Sequence, residues 1–384
     1  MSVISSSSII ALFLSVLIVA GCAHRPAGIG TSRLPPGQRH PAAPIPGTRG
    51  EAVPPGDRST VRRLTGPYAG YAALERFIER MVDRHGFSRT FLNGVFSEVQ
   101  RKQWILDYLG RESKPGVPSR PGAWSRYRAK FLTEKHISTG ARFWSQYASA
   151  LRRAQARYGV DPEYILGILG VETIYGGNLG SHRVIDALTT LAFDFPRRSA
   201  YFTEELENFL LMAREEGFDP TLPTGSYAGA MGLGQFMPSS FLQFAVDFDG
   251  DGHRDLWNPV DAIGSIAHYF ARHGWRPGEP VAVPASVAGS AARGLECGLE
   301  TRYSLVSLAR YGIRPAVSAP RAAQVRLLRL STMAGDEYWL GYDNFYVITR
   351  YNHSTHYAMA VHQLAEAVKQ RYLRMASTES WVVD

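Results

Sequence analysis

Downstream of Tyr68 the apolar positions recur with a helical period: Leu74, Phe77, Ile78, Met81 and Val82 share one face, and Gly86 follows the run. The same pattern predicts helices over about 97–108, 139–158, 162–172, 201–216, 259–273 and 355–372. Asp161-Pro162 and Asn258-Pro259 each set an N-cap residue before a first-turn proline, while Gly159, Gly217 and Gly274 close helical runs. Residues 324–330 and 338–348 are instead rich in β-branched and aromatic side chains. Turn formers stand at Ala334-Gly335-Asp336 and Asp343-Asn344, so a small sheet is expected there. No repeat of 20–50 residues is present. The pattern describes one mainly α, α+β unit with lobes flanking a cleft, followed by a tail at 376–384.

The amino-terminal apolar run, 9–20, is shorter than the ~20 residues a membrane-crossing helix needs. It follows Ser5–Ser8 and ends in Val19-Ala20-Gly21-Cys22, so residues 1–21 read as a secretory signal. The small residues before the cysteine resemble a bacterial lipoprotein signal. That resemblance implies acylation of Cys22 and attachment to a lipid membrane. Ala23, standing where an Asp would retain such a protein at the inner membrane, implies the periplasmic face of the outer membrane. Residues 22–67 are rich in Pro and Arg, as an extended tether would be.

With 384 residues, 45% of them hydrophobic, the remainder can bury a large core. Cys297 is the only thiol left once Cys22 is acylated, so no intrachain disulfide contributes. The formal charge of +8 falls to +3 over residues 68–384, where 35 basic residues face 32 acidic ones. The basic excess therefore sits mostly in the tether, and nucleic-acid binding is not expected.

Three segments carry candidate chemistry. Residues 162–173 are apolar on nearly every side, which predicts a central helix. Glu172 lies in line with Ile168 and Leu169 on it. A desolvated carboxyl there would hold its proton near neutral pH, as a general acid must; the alternative is a Glu ending a helix in water. Gly167 and Gly170 cost about 1 kcal/mol each in helix propensity and permit close helix approach.

The second segment, 225–240, holds four glycines in its first ten residues but lacks the lysine of a phosphate loop. It suits either close approach of a polymer to backbone or a tight helix crossing. The third, Asp247 to Asn258, sets carboxylates at positions 1, 3, 5 and 9 of a twelve-residue loop with glycine at 6, the calcium-loop spacing. Asp247, Asp249, Asp251, His253 and Asn258 are the expected ligands of a structural Ca²⁺, although Asn258 replaces the usual bidentate Glu. His353, His356 and His362 make no convincing zinc site, and nothing points to an organic cofactor.

Gly170-Val171-Glu172-Thr173, Phe195-Pro196-Arg197-Arg198, Ser226 to Ser240 and Arg350-Tyr351-Asn352-His353-Ser354 together resemble the membrane-bound lytic murein transglycosylase B family over about 68–375. The resemblance implies a lysozyme-like core (about 159–275 and 345–372), a flanking helical lobe, a small β-containing lobe (about 320–350) and an EF-hand-like loop. It also implies a carbon–oxygen lyase acting on peptidoglycan glycan strands. Glu172 would be the single acid and base, and Ser226 its hydrogen-bond partner. Gln235, Tyr269, Asn352 and Tyr357, with Tyr127 and Tyr351, would contact sugars. Arg197 and Arg198 would meet the carboxylates of the peptide stems, or form a solvated pair.

Ordinary glycoside hydrolysis uses two carboxylates, whereas these motifs offer one. One suffices if Glu172 protonates the oxygen leaving N-acetylmuramic acid and then takes the proton of that sugar's own 6-hydroxyl, leaving a 1,6-anhydro end. The alternatives are a lysozyme-type hydrolase and a non-catalytic peptidoglycan-binding scaffold.

Overall fold

The computed structural model describes residues 61–112, 121–318 and 324–380; the signal, Cys22, the tether to residue 60 and residues 381–384 lie outside these. The first part holds α1 (Ala72–His85), α2 (Arg89–Ser97), α3 (Gln103–Glu112), α4 (Ala123–Arg128) and the long α5 (Glu134–Tyr158). The middle holds α6 (Pro162–Thr173), β1 (His182–Arg183), α7 (Val184–Asp194), α8 (Ser199–Glu215), β2 (Thr224–Gly225), α9 (Pro238–Phe244) and α10 (Pro259–Arg272). The last part holds β3 (Ala282–Val287), α11 (Leu305–Arg310), β4 (Ile313–Pro315), β5 (Arg326–Thr332), β6 (Gly335–Gly341), α12 (Asp343–Tyr351) and α13 (Thr355–Ser380). The fold is thus mainly helical, with a two-stranded ladder β1–β2 and an antiparallel sheet in the order β4–β3–β6–β5.

The core is built around α6. Every one of its residues is buried, and it packs against α5, α10 and α13. A methyl group on Gly167 would stand 2.7 Å from the carbonyl oxygen of Val361, so only glycine lets α13 come this close. Ile165, Leu166, Ile168 and Leu169 are fully buried, at about 1.5–3 kcal/mol each, which outweighs the propensity cost of the two glycines. One cluster of buried apolar residues runs through the helices and one side of the sheet. A smaller one, including Val283, Leu308, Leu327 and Leu340, fills the sheet's other side.

Several local expectations change. Residues 61–67, assigned to the tether, already dock on the domain: Leu64 is buried, and the Asn93 amide donates to the Arg62 carbonyl at 3.1 Å. The helix expected over 97–108 is two helices. Residues between them run against α7, with the amides of Gln100 and Lys102 donating to Asp186 (2.9 Å) and Thr190 (3.0 Å).

The strand expected over 338–348 stops at Gly341. Asn344, fully buried, bonds to backbone of Arg276 and Glu279, and this holds residues 343–351 in a helix despite their β-prone composition. Asp161 makes no side-chain cap; it accepts instead from Gln155 at 3.2 Å. The last helix continues into the expected tail, as far as Ser380.

Candidate active site

Glu172 occupies the last turn of α6, with 7% of its surface exposed. Its one hydrogen bond among the described residues comes from the hydroxyl of Tyr357, in the first turn of α13, at 2.5 Å. Burial pushes the Glu172 carboxyl up to about 8, and the Tyr357 bond offsets only part of that. Among the described residues no cation and no second carboxylate acts on it. The carboxyl is thus desolvated at the helix end, not set in water. Tyr127, Tyr351 and Tyr357 all lie close enough for the Glu172 charge to add to burial in raising their phenol pKa values, so these hydroxyls stay protonated.

The backbone beside Glu172 is unusual. After Thr173 the chain turns through Ile174 (φ 53°) and Tyr175 (φ 56°), both left-handed. Gln235 (φ 50°) is the third non-glycine residue with positive φ among the described residues. Such conformations cost about 1–3 kcal/mol each and persist only where surroundings enforce them. Here the Thr173 hydroxyl donates to the Leu233 carbonyl at 2.9 Å and the amide of Gly176 donates back to it at 3.0 Å. The Gln235 side-chain amide donates to Leu179 (3.3 Å) and Gly232 (2.9 Å), tying the two loops together.

The tyrosines continue this wall. Tyr351 donates to the Gly234 carbonyl at 2.5 Å and Tyr269 to the Arg350 carbonyl at 2.7 Å, and the two rings meet edge to face at 4.9 Å. Tyr127 stands beside Trp124 and His356, with centroids 6.3 and 5.5 Å away. His356 thus has an aromatic setting rather than a metal-binding one. Asn352 carries a buried side-chain oxygen with no partner, an acceptor left open next to Tyr351.

Not every assigned residue joins this group. Ser226 turns its hydroxyl oxygen into its own loop, accepting from the amides of Ala228 (3.3 Å) and Ala230 (3.0 Å), and no bond joins it to Glu172. Arg197 and Arg198 lie in a short 3-10 turn before α8. The Arg198 guanidinium covers the rings of Tyr201 (4.3 Å) and Phe202 (5.1 Å), and Arg197 is exposed.

The acidic loop closes differently from the expected twelve-residue set. Carboxylate oxygens of Asp247, Asp249 and Asp261 all lie within 4.8 Å of one another. Asp251 and His253 fall outside this trio. Asn258 is committed elsewhere: its oxygen caps α10 through the Val260 amide (2.9 Å) and its nitrogen donates to Asp249 (2.6 Å). Sequence reading missed Asp261 because it stands three residues beyond the loop, in the first turn of α10. The signal for it was the absent Glu at position 12, which left a ligand to be supplied from further along. Asp261 is fully buried and also accepts the amides of Phe248 (2.7 Å) and Asp255 (2.8 Å). No Lys or Arg side chain pairs with the trio among the described residues, so a hard divalent cation fits its charge.

Residues 70–366 match the profile of the Transglycosylase SLT domain. Membrane-bound lytic murein transglycosylase B of Escherichia coli K12 is 51% identical over 314 residues, 80% of this chain and 86% of that protein. The structure of E. coli lytic transglycosylase Slt35 in complex with calcium superposes with a TM-score of 0.76 at 48% identity, over 84% of this chain and 99% of that one. SltB3 from Pseudomonas aeruginosa, solved with NAG-anhNAM-pentapeptide, gives 0.68 at 29% identity, over 78% of this chain and 80% of that one. The match runs from the first helix to the last and takes in all four sequence motifs, and this chain accordingly belongs to the membrane-bound lytic murein transglycosylase B family.

Proposed function

We propose that this chain is a lytic murein transglycosylase that breaks the β-1,4 bond between N-acetylmuramic acid and N-acetylglucosamine, with Glu172 as the sole acid and base. The observation that carries this reading is a single carboxyl buried at the end of α6, its pKa raised by that burial, with no second carboxylate acting on it among the described residues. A hydrolase of the two-carboxylate kind would need that partner. In the first step the Glu172 proton passes to the glycosidic oxygen as the bond from muramic acid C1 breaks. In the second, the muramic acid 6-hydroxyl bonds to C1 and its proton returns to Glu172. No water is consumed, and the nucleophile gains the proximity of an intramolecular group.

Tyr357 orients the carboxyl by its hydrogen bond and stabilises the carboxylate between the steps. The open oxygen of Asn352 is available to a sugar hydroxyl or acetamido N–H, and Gln235, Tyr269, Tyr351 and Tyr127 shape the groove. Ser226 supports the glycine-rich loop by accepting hydrogen bonds from two of its backbone amides. Arg197, exposed beside the ring-stacked Arg198, would meet stem carboxylates.

The test is digestion of purified sacculi with mass spectrometry of the new ends. The reading predicts 1,6-anhydromuramic ends, and loss of at least a thousandfold in turnover on Glu172→Gln with glycan binding kept. Reducing muramic ends would point to a hydrolase. Full function in Glu172→Gln would point to a scaffold.

The trio Asp247, Asp249 and Asp261 would hold a Ca²⁺, which cross-links the loop to the start of α10 and offsets the charge of three adjoining carboxylates. Calcium at a hundred times its Kd should stabilise the protein by about 2.7 kcal/mol. A thermal midpoint that chelator and millimolar calcium both leave unmoved would contradict this.

No described helix is long and apolar enough to cross a membrane. We place the attachment at an acylated Cys22, on the periplasmic face of the outer membrane. Cys22→Ser should then move the protein from the membrane pellet to the soluble fraction, and a variant that still sediments with membranes would refute the anchor.

A further inference from the structure

A cavity of about 970 Å³ lies away from Glu172. It lies between the sheet and α13, with Arg128 and Leu132 also on its lining. Gln363, Glu366 and Gln370 line it. At about 100° per residue they sit on the flank of α13 opposite Tyr357, so the cleft and the Glu172 site share a helix but open on different sides of it.

Its chemistry is mixed. Trp339 supplies an aromatic wall, edge-on to His362 at 6.0 Å. His362 bonds to the Tyr164 hydroxyl at 3.1 Å, and burial pushes it down to about 4, so the floor adds no charge. Arg128 and Arg293 stand on the rim, as does Glu337, and none of the three side chains has a partner among the described residues. Glu366 accepts a long bond, 3.5 Å, from Tyr164 and lies within the field of Lys369 on the same helix. Gln363 lines the cleft, and its side-chain oxygen is buried beneath the surface and accepts nothing. Unpaired cations and carboxylates on one cleft disfavour a polyanion such as nucleic acid or an anionic lipid surface. They suit a short ligand carrying both an ammonium and carboxylates.

We infer that this cleft binds the peptide portion of the murein polymer, as a zwitterionic peptide held outside the site where the glycan is cut. The inference rests on the murein reading above.

The test uses the full chain carrying Glu172→Gln, titrated calorimetrically with two sugar-free peptides. One is N-acetyl-Ala-Glu-Lys-Ala-Ala with a free carboxyl terminus. The other is its N-acetylated, C-amidated counterpart with Gln at both charged positions. The charged peptide should bind at least tenfold more tightly than the capped one. Arg128→Ala and Glu366→Gln, on different walls of the cleft, should each weaken it fivefold or more. Both variants, made in the chain with Glu172 intact, should cut peptide-free glycan at the parent rate.

Equal binding of the two peptides, no binding of the charged one at millimolar concentration, or indifference to both substitutions would overturn the inference. Failure of the parent to release anhydro ends from peptide-free glycan would instead strike the reading of Glu172 and leave the binding result to stand by itself.

Discussion

Everything in the site depends on keeping one carboxyl group out of water. Glu172 is buried because α6 is buried, and α6 is buried because glycine at 167 lets α13 lie against it. The same contact brings Tyr357, in the opening turn of α13, within hydrogen-bond reach of the carboxyl. One helix crossing thus sets both the desolvation that raises the Glu172 pKa and the hydroxyl that tempers it. In water such a group would be ionised at neutral pH and useless as an acid. The penalty falls on the fold: a carboxyl raised to about 8 makes the native state lose stability as pH climbs from the ordinary carboxylate range through 8. The apolar contacts of α6 absorb it.

Strain is concentrated at the same place. Ile174 and Tyr175 leave the end of α6 left-handed, and Gln235 does so in the facing loop. Each is locked by bonds that join the two loops, above all Thr173 to Leu233 and Gln235 to Leu179. A groove wall held by backbone in enforced conformations moves little when a polymer is drawn across it. That is what the role proposed for Glu172 needs, a proton that leaves and returns to one carboxylate.

Much of this was legible in the chain. Periodicity marked α1, α5, α8, α10 and α13, and the run of apolar residues around Gly167 and Gly170 marked α6 as central. The family followed from four short motifs and is borne out by the match over residues 70–366. What was not legible depended on tertiary partners. Residues 343–351 have strand-like composition but form a helix because Asn344 is claimed by backbone of Arg276 and Glu279. The link from 98 to 102 follows Asp186 and Thr190 rather than its own propensity. Asp261 joins the acidic trio from outside the loop motif, and the cleft behind α13 is assembled from segments far apart in sequence, so no local pattern announces either.

The central claim is most directly tested by the ionisation of Glu172 itself. In the full chain with ¹³C-labelled glutamate, the side-chain carboxyl resonance lost on Glu172→Gln identifies the group, and its shift can be followed from pH 4 to pH 10. The account predicts a midpoint near 8, moving higher in Tyr357→Phe as the bond that favours the carboxylate is removed. A midpoint in the ordinary range of exposed glutamates, about 4.3, would contradict it.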